Sequence, residues 1–179
     1  MSFITAGKFK GARLKRPMDR GVRATQQKVR EAVFNIIGDR VDDGHFVDVC
    51  CGSGAMGLEA LSRGAGHVTF IDIDIQLAKT NYKGLSGAPP VTILKGDAAD
   101  CVRRITTPVN GLFMDPPWEK HELYEAALKA IFESDILAPG AVLVIEHFKK
   151  NIMTDYLPSN MTHKLYKYGD THLTVGIKG

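Results

Sequence analysis

Phe46-Val47-Asp48-Val49-Cys50-Cys51-Gly52-Ser53-Gly54-Ala55-Met56-Gly57 is the stretch on which the reading of the fold turns. Residues 46–50 are apolar apart from one carboxylate, as expected of a strand buried on both faces. Glycines at 52, 54 and 57 follow at G-x-G-x-x-G spacing, and residues 56–63 continue as a helix. Such a turn aims backbone N–H groups at a ligand and lets it approach the main chain. Alone the spacing is a weak signal, because glycine turns are common between strands and helices.

Outward from this stretch the chain alternates regularly. Residues 68–71 read as a second strand ending at Asp72, with a helix over 75–85. Residues 91–94 form a third strand ending at Gly96-Asp97, with a helix over 98–105. Residues 112–114 form a fourth, with a helix over 121–134, and residues 141–145 a fifth, ending at Glu146. Segments 164–168 and 173–177 alternate around Gly169-Asp170 as a closing antiparallel hairpin. Before the first strand, Thr25 caps a helix over residues 23–38 whose Val29, Val33, Ile36 and Ile37 share one face, and Gly38 stops it. Residues 3–5 and 12–14 pair as a short hairpin turning between Gly7 and Gly11. The expected fold class is therefore α/β: a doubly wound, mostly parallel, seven-stranded sheet with a C-terminal antiparallel hairpin and a short basic N-terminal hairpin. Residues 1–24 are expected to be a basic arm and 25–179 the main domain.

The strand ends carry the candidate chemistry. Asp72 lies 20 residues beyond Gly52 at the end of the next strand, where a carboxylate accepts the hydroxyls of a ribose. Asp97 ends the third strand and is placed to accept from an adenine amino group. Two cofactors suit such a nucleoside-shaped site, a nicotinamide dinucleotide and S-adenosylmethionine. Asp48 bears on the choice, since a carboxylate before the glycine turn repels a pyrophosphate and attracts an ammonium; its alternative role is to cap a helix or turn. The cofactor set is then Asp48, Gly52, Ser53, Gly54, Asp72 with Ile73, and Asp97 with Ala98. At the fourth strand end stands Asp115-Pro116-Pro117-Trp118. The two prolines stiffen this turn and are expected to leave its carbonyls facing outward. A carboxylate, an aimed carbonyl and a flat indole make a socket for a planar group bearing NH2; the plainer alternative is a strand-end turn with a core tryptophan.

Charge is unevenly spread. The net charge is +3, yet residues 1–30 hold nine basic side chains against one acidic, and the remainder fourteen against nineteen. A basic arm on an acidic body is either a solvated tail or a surface for polyanions. Interleaved Phe3, Ile4, Phe9, Leu14 and Val22 argue against simple disorder. Lys10, Arg13, Arg16, Arg23, Lys28 and Arg30 are the candidate RNA contacts, Lys28 and Arg30 being expected on the polar side of their helix. Glu59 and Arg63 are spaced as a helix ion pair. Cys50, Cys51 and Cys101 show no zinc spacing, the six histidines show no metal pairing, and no apolar run approaches membrane length. No metal and no membrane are expected, in a cytoplasmic, monomeric protein.

Residues 48–65 (DVCCGSGAMGLEALSRGA), with Val29-Arg30-Glu31-Ala32-Val33-Phe34-Asn35 before and Asp115-Pro116-Pro117-Trp118 after, closely resemble the bacterial methyltransferases of small-subunit (16S) ribosomal RNA that modify the N2 amino group of a guanine. The resemblance runs from Gly7-Lys8-Phe9-Lys10-Gly11 to Tyr168-Gly169-Asp170-Thr171. It implies a Rossmann-like class I methyltransferase fold, S-adenosylmethionine as methyl donor, and ribosomal RNA in a partly assembled small subunit as substrate. This chain departs from the family at Arg23-Ala24-Thr25 and Gln27-Lys28, where Arg-Pro-Thr and Asp-Arg are usual, at Asp72 for Glu, and at Trp118 for Tyr or Phe. The first two bear on RNA positioning; Asp still suits ribose, and any of the aromatics can stack. In this reading Asp115, Pro116, Pro117 and Trp118 are the catalytic set. Asp115 and the Pro116 carbonyl accept from the guanine NH2, and Trp118 stacks on the base. A DNA adenine-N6 or protein glutamine methyltransferase would use the same acceptors, a nicotinamide-dependent oxidoreductase only the glycine turn, and a non-catalytic RNA-binding protein neither.

Overall fold

The computed structural model describes residues 2–16 and 27–179. In chain order the elements are β1 (Ser2–Phe3), β2 (Arg13–Leu14), α1 (Gln27–Ile37), β3 (His45–Val49), α2 (Ala55–Arg63), β4 (His67–Asp72), α3 (Gln76–Lys83), β5 (Val91–Lys95), α4 (Ala98–Val102), β6 (Val109–Met114), α5 (His121–Glu133), β7 (Leu137–Phe148), β8 (Met161–Tyr168) and β9 (Thr171–Lys178). The sheet runs β5-β4-β3-β6-β7-β9-β8. Its first five strands are parallel, and β9 is antiparallel to both neighbours. The doubly wound sheet with a closing hairpin is as the sequence predicts. Strand β7 begins earlier than expected, running through Pro139 and Gly140, and its register against β6 shifts between Val109 and Gly111.

Strand β3 is buried at every position, as a central parallel strand must be. Its side chains alternate between two cores. On one face Phe46 joins Val33, Phe34 and Ile37 of α1, Leu58 of α2, Phe70 of β4 and the hairpin residues Ile4 and Leu14. On the other, Val47 and Val49 join Met114 of β6 and Tyr124, Leu128 and Ile131 of α5. Both cores lie beneath the carboxyl ends of the parallel strands and hold those ends still. Among the described residues no helix is long and apolar enough to cross a membrane.

Helix α1 carries one correction. Lys28 is exposed as expected, but Arg30 is fully buried, and its Nε bonds Glu59 Oε2 of α2 at 3.1 Å while Nη2 donates to the Phe3 carbonyl. Periodicity in fact puts Arg30 on the apolar face of α1, one turn before Phe34 and two before Ile37; its charge, not its position, suggests solvent, and the N-terminal hairpin closes over it. Glu59 is equally buried and gathers the hairpin around itself, accepting from the Thr5 N–H (2.9 Å), the Thr5 hydroxyl, the Ala6 N–H (3.1 Å) and Arg63 Nε (2.9 Å). The helix pair Glu59–Arg63 is thus present as one part of a larger network. A buried charge with this many donors is stable, whereas removing a partner from such a group costs about 3–5 kcal/mol. Thr25 and Arg23, expected to cap α1 and to contact RNA, lie outside the described residues.

Candidate active site

The loops that leave β3, β4, β5 and β6 are zipped side by side at one rim. Past the strand ends the ladder continues with Asp115 N–H to Val49 O (3.4 Å), Cys51 N–H to Ile71 O (3.0 Å) and Gly96 N–H to Asp72 O (3.0 Å). Adjacent strands are about 4.8 Å apart, so Asp115, Asp72 and Asp97, at the ends of β6, β4 and β5, span about 14 Å along the rim, with Asp48 two residues deeper in β3, opposite Phe113 and Phe70. The four carboxylates converge electrostatically on Cys50. Its thiol is pushed up to about 12, by burial first and then by Asp72, Asp115, Asp48 and Asp97. Cys51 is raised further, by burial and then by Asp48 and Asp72. Neither thiol is a nucleophile at neutral pH, since the thiolate is the reactive form. The rim is an acidic trough, hostile to a pyrophosphate and receptive to a cation.

The glycine turn divides its work. Cys50 (φ 58°), Gly52 (φ 51°) and Gly54 (φ 75°) all take left-handed backbone, which wraps the chain tightly into α2. A Cβ on Gly52 would meet nothing within 4 Å, so the space above it is open to a ligand. A Cβ on Gly57 would fall 2.4 Å from Phe70 Cε1, so this glycine lets α2 lie close on β4. Asp72 Oδ2 accepts from the Gly52 N–H (2.8 Å) and Oδ1 from the Asp74 N–H (2.9 Å), which fixes the carboxylate at the mouth of the turn. Ile73 beside it is among the most exposed large apolar side chains. Asp97 caps α4, Oδ1 accepting from Ala99 (2.9 Å) and Asp100 (3.2 Å), while Ala98 is buried. Ser53 is half-buried.

Asp48 is buried beneath the turn rather than lining it. Its Oδ2 accepts from the Gly57 N–H at 2.9 Å, in the first turn of α2, so the helix-capping alternative describes its contact. Burial, reinforced by Asp72 and opposed by that hydrogen bond, pushes its carboxyl up to about 7.

The Asp-Pro-Pro-Trp turn is held from behind. The carbonyls of its prolines are not left facing outward, as the sequence suggests: Pro116 is buried and its carbonyl accepts from Tyr124 Oη (3.0 Å), while that of Pro117 accepts from the Lys120 N–H (2.9 Å). Tyr124 sits at 3.0 Å from the Glu146 carbonyl as well, so a single phenolic proton is shared between the ends of β6 and β7. Burial, then Asp115 and Glu146, raise the phenol well above its usual range and keep that proton in place. A carbonyl oxygen has two lone pairs, so Pro116 can still accept a second hydrogen bond. Asp115 is half-buried, and Phe148 packs against the Trp118 indole at 5.1 Å between centroids, tilted 31°.

Sequence reasoning missed three residues that position this rim. Tyr124 looks like one more apolar position on the inner face of α5. Phe148 lies beyond the expected end of its strand. Asn81 of α3, also buried, bonds both the N–H (2.8 Å) and the carbonyl (3.0 Å) of Lys15 and reaches the Ser53 carbonyl (2.9 Å), so one amide ties the basic arm to the glycine turn. A polar residue on a short helix gives no periodic signal for such a role. Lys10, Arg13 and Arg16 are exposed beside this tie, whereas Arg30 belongs to the interior. His45 and His147 are buried against threonine hydroxyls (Thr69, 2.8 Å; Thr174, 2.9 Å), as satisfied polar groups. Among the described residues no group of three or more His, Cys, Asp or Glu side chains could hold a metal ion.

Known proteins share both sequence and fold. The Bacillus subtilis (strain 168) protein YlbH is 32% identical over 178 residues, 96% of each chain. Ribosomal RNA small subunit methyltransferase D of Escherichia coli (strain K12) is 32% identical over 150 residues, 83% of this chain and 75% of the relative. The solved structure of Escherichia coli yhhF superposes with a TM-score of 0.83 at 28% identity, covering 99% of this chain and 97% of that one. The sheet order and fold are those of a Rossmann-like class I methyltransferase. Matched over residues 3–177 by the family described as conserved hypothetical protein 95, the chain belongs to the ribosomal RNA small subunit methyltransferase D family.

Proposed function

We propose that this protein transfers a methyl group from S-adenosylmethionine to the exocyclic N2 amino group of a guanine in small-subunit ribosomal RNA, acting as a monomer on a partly assembled subunit. Family membership supports S-adenosylmethionine-dependent methylation of ribosomal RNA; the guanine and its N2 atom are our reading of the Asp-Pro-Pro-Trp turn within that family. The observation that carries the reading is the acidic trough of Asp72, Asp97 and Asp115 around an open glycine turn, with Asp48 buried beneath it. It fits a cofactor that carries cationic sulfonium and ammonium groups with an adenosine, and it disfavours a dinucleotide.

In this reading Asp97 and Ala98 meet the adenine, Asp72 and Ile73 the ribose, and Gly52, Ser53 and Gly54 the amino-acid end, with Asp48 acting through its charge from below. The cofactor supplies an activated methyl group on sulfur. Guanine N2 is a poor nucleophile because its lone pair is conjugated into the ring. Asp115 and the Pro116 carbonyl accept from its two N–H bonds, turn the lone pair toward the methyl and stabilise the positive charge that grows on nitrogen. Asp115 then takes the departing proton, directly or through water. Tyr124 fixes the Pro116 carbonyl, and Pro117 stiffens the turn. Trp118, backed by Phe148, stacks on the base, worth about 1–3 kcal/mol. Lys10, Arg13, Arg16, Arg23 and Lys28 neutralise phosphates.

The test is Asp115→Ala, assayed with labelled methyl donor on unmodified small subunits, naked ribosomal RNA and DNA, with the label mapped. We expect methyl incorporation to fall by about 10²–10³ or more, with S-adenosylhomocysteine binding changed less than about threefold and NAD not bound. Equal loss of turnover and cofactor affinity would show that Asp115 belongs to the cofactor site. Label on DNA adenine would replace the substrate assignment.

A further inference from the structure

The catalytic turn continues into a surface that the family reading leaves without a role. Beyond β6 the rim is formed by the end of β7 and by the β8–β9 hairpin. Phe148, Thr171 and Tyr168 stand in one row across β7, β9 and β8, the last pairs of the two antiparallel ladders. Directly paired residues point to the same face, so Phe148 and Tyr168 project on one side, about 10 Å apart. Phe148 also backs Trp118 at 5.1 Å, which makes Trp118, Phe148 and Tyr168 a line of aromatic side chains leading away from Asp115. Tyr168 is 39% exposed although it ends an eight-residue strand.

Two lysines adjoin this line. Lys149 and Lys150 come directly after Phe148 and both are exposed. Lys167, next to Tyr168 in the same strand, points to the opposite face of the sheet with its partner His172. Acidic groups are present too. Glu119 adjoins Trp118, and Asp170 at the hairpin tip meets Lys149 Nζ at 2.8 Å. That pair is solvent-exposed on both sides, and such pairs are worth about 0–1 kcal/mol, so a phosphate can compete for Lys149. The backbone beneath is tied down, by Lys149 N–H to Asp170 O (2.9 Å) and Asn151 Nδ2 to Trp118 O (3.3 Å), so the main chain at Trp118 and Lys149 is held.

Aromatic faces beside cations bind unpaired nucleotides, whose bases offer a free face; a duplex hides those faces and presents phosphates alone. We propose that Trp118, Phe148 and Tyr168, with Lys149 and Lys150, form a second RNA contact that takes the single-stranded nucleotides adjoining the target base. The proposal rests on the reading of Asp115 as the site of methyl transfer. It places the two RNA contacts on opposite sides of that site, since the basic arm packs against α2 and α3, beyond β3, and this strip lies over β7, β9 and β8. The target nucleotide is then drawn across the catalytic turn from both directions. Exposed Lys164 and Lys167 also keep β8, an edge strand, from pairing with another strand, which favours a nucleic-acid partner over a protein strand here.

The test measures binding of a short, uridine-rich single-stranded oligoribonucleotide with one guanine, and of the same sequence as a duplex, to protein saturated with S-adenosylhomocysteine. Tyr168→Ala is expected to weaken the single strand about 5- to 20-fold. Lys149→Gln combined with Lys150→Gln is expected to shrink the slope of log K against log salt by about 1.4, two phosphate contacts on a single strand. Unchanged S-adenosylhomocysteine affinity in each variant certifies the fold. Single-strand affinity and salt slope that both match the unsubstituted protein would overturn the proposal, as would a duplex bound as tightly and weakened as much. Methyl incorporation by the unsubstituted protein is followed in parallel: its absence would strike the proposed function, whereas unmoved binding in the variants strikes this surface alone.

Discussion

Asp48→Asn tests the electrostatics of the rim where they are most exposed to refutation. Asparagine keeps the shape and can still accept the Gly57 N–H that Asp48 accepts at 2.9 Å, but it cannot ionise. In the native protein burial raises this carboxyl from 3.8 to about 7. Below pH 3.8 the group is protonated in both native and unfolded chains and has no effect. Between 3.8 and about 7 the unfolded chain has released a proton that the native chain retains, so wild-type stability falls as pH rises, by about 1.36 kcal/mol per unit. The whole loss is on the order of 4 kcal/mol and is complete above the native value.

The variant removes this slope and adds a constant penalty of about 1–3 kcal/mol for a buried amide NH2 with an unfavourable environment. Asp48→Asn is therefore expected to be less stable than wild type in acid and more stable above neutrality. The difference moves by about 3 kcal/mol between about pH 5 and about pH 8. Urea unfolding at both pH values measures it, with equal m-values required so that midpoints report stability. All other titrating groups are common to the two proteins and cancel in the difference. Cofactor binding gives a second reading: wild-type affinity for S-adenosylhomocysteine, which keeps the ammonium, should rise with pH through about 7 and that of the variant should stay flat. Parallel stability curves would refute the reasoning, because they would mean that Asp48 is ionised and compensated in the native state.

Three further substitutions address the supports of the site. Tyr124→Phe removes the proton shared by the Pro116 and Glu146 carbonyls; unfolding should show a loss of about 1–2 kcal/mol, and turnover should fall about tenfold with cofactor affinity unchanged, the mark of a positioning role. Arg30→Ala strips a buried charge from Glu59 and should cost about 3–5 kcal/mol in urea unfolding, whereas Lys28→Ala should stay within about 0.5 kcal/mol; the reverse ranking would return Arg30 to the RNA surface. Gly57→Ala forces a methyl to 2.4 Å from Phe70 and should lower stability by about 1–3 kcal/mol, read from the unfolding midpoint.

The fold was legible because its signals are local. A buried strand, a glycine turn and a helix follow one another within twelve residues, and β4, β5 and β6 each end at or within two residues of an aspartate, Asp72, Asp97 and Asp115. What the sequence hid were interactions whose partners lie far apart in the chain. Arg30 and Glu59 are 29 residues apart, and the charge suggests solvent although Arg30 precedes Ile37 by two helical turns on the apolar face of α1. The acceptors that let a charge stand there, Glu59 and the Phe3 carbonyl, come from α2 and the hairpin. Asn81 misleads for the same reason, since its partners Lys15 and Ser53 belong to the arm and to the glycine turn, 66 and 28 residues away. The reason residue 124 is a tyrosine and not a phenylalanine is two carbonyls at strand ends that nothing in α5 announces. In each case the missing quantity was the unpaired polar atom that a buried partner leaves behind. A backbone carbonyl withdrawn from water by a proline turn needs a donor, and the Asp-Pro-Pro-Trp sequence, which removes two N–H groups from the rim, creates that need at the very place where the proposed methyl transfer requires a fixed acceptor.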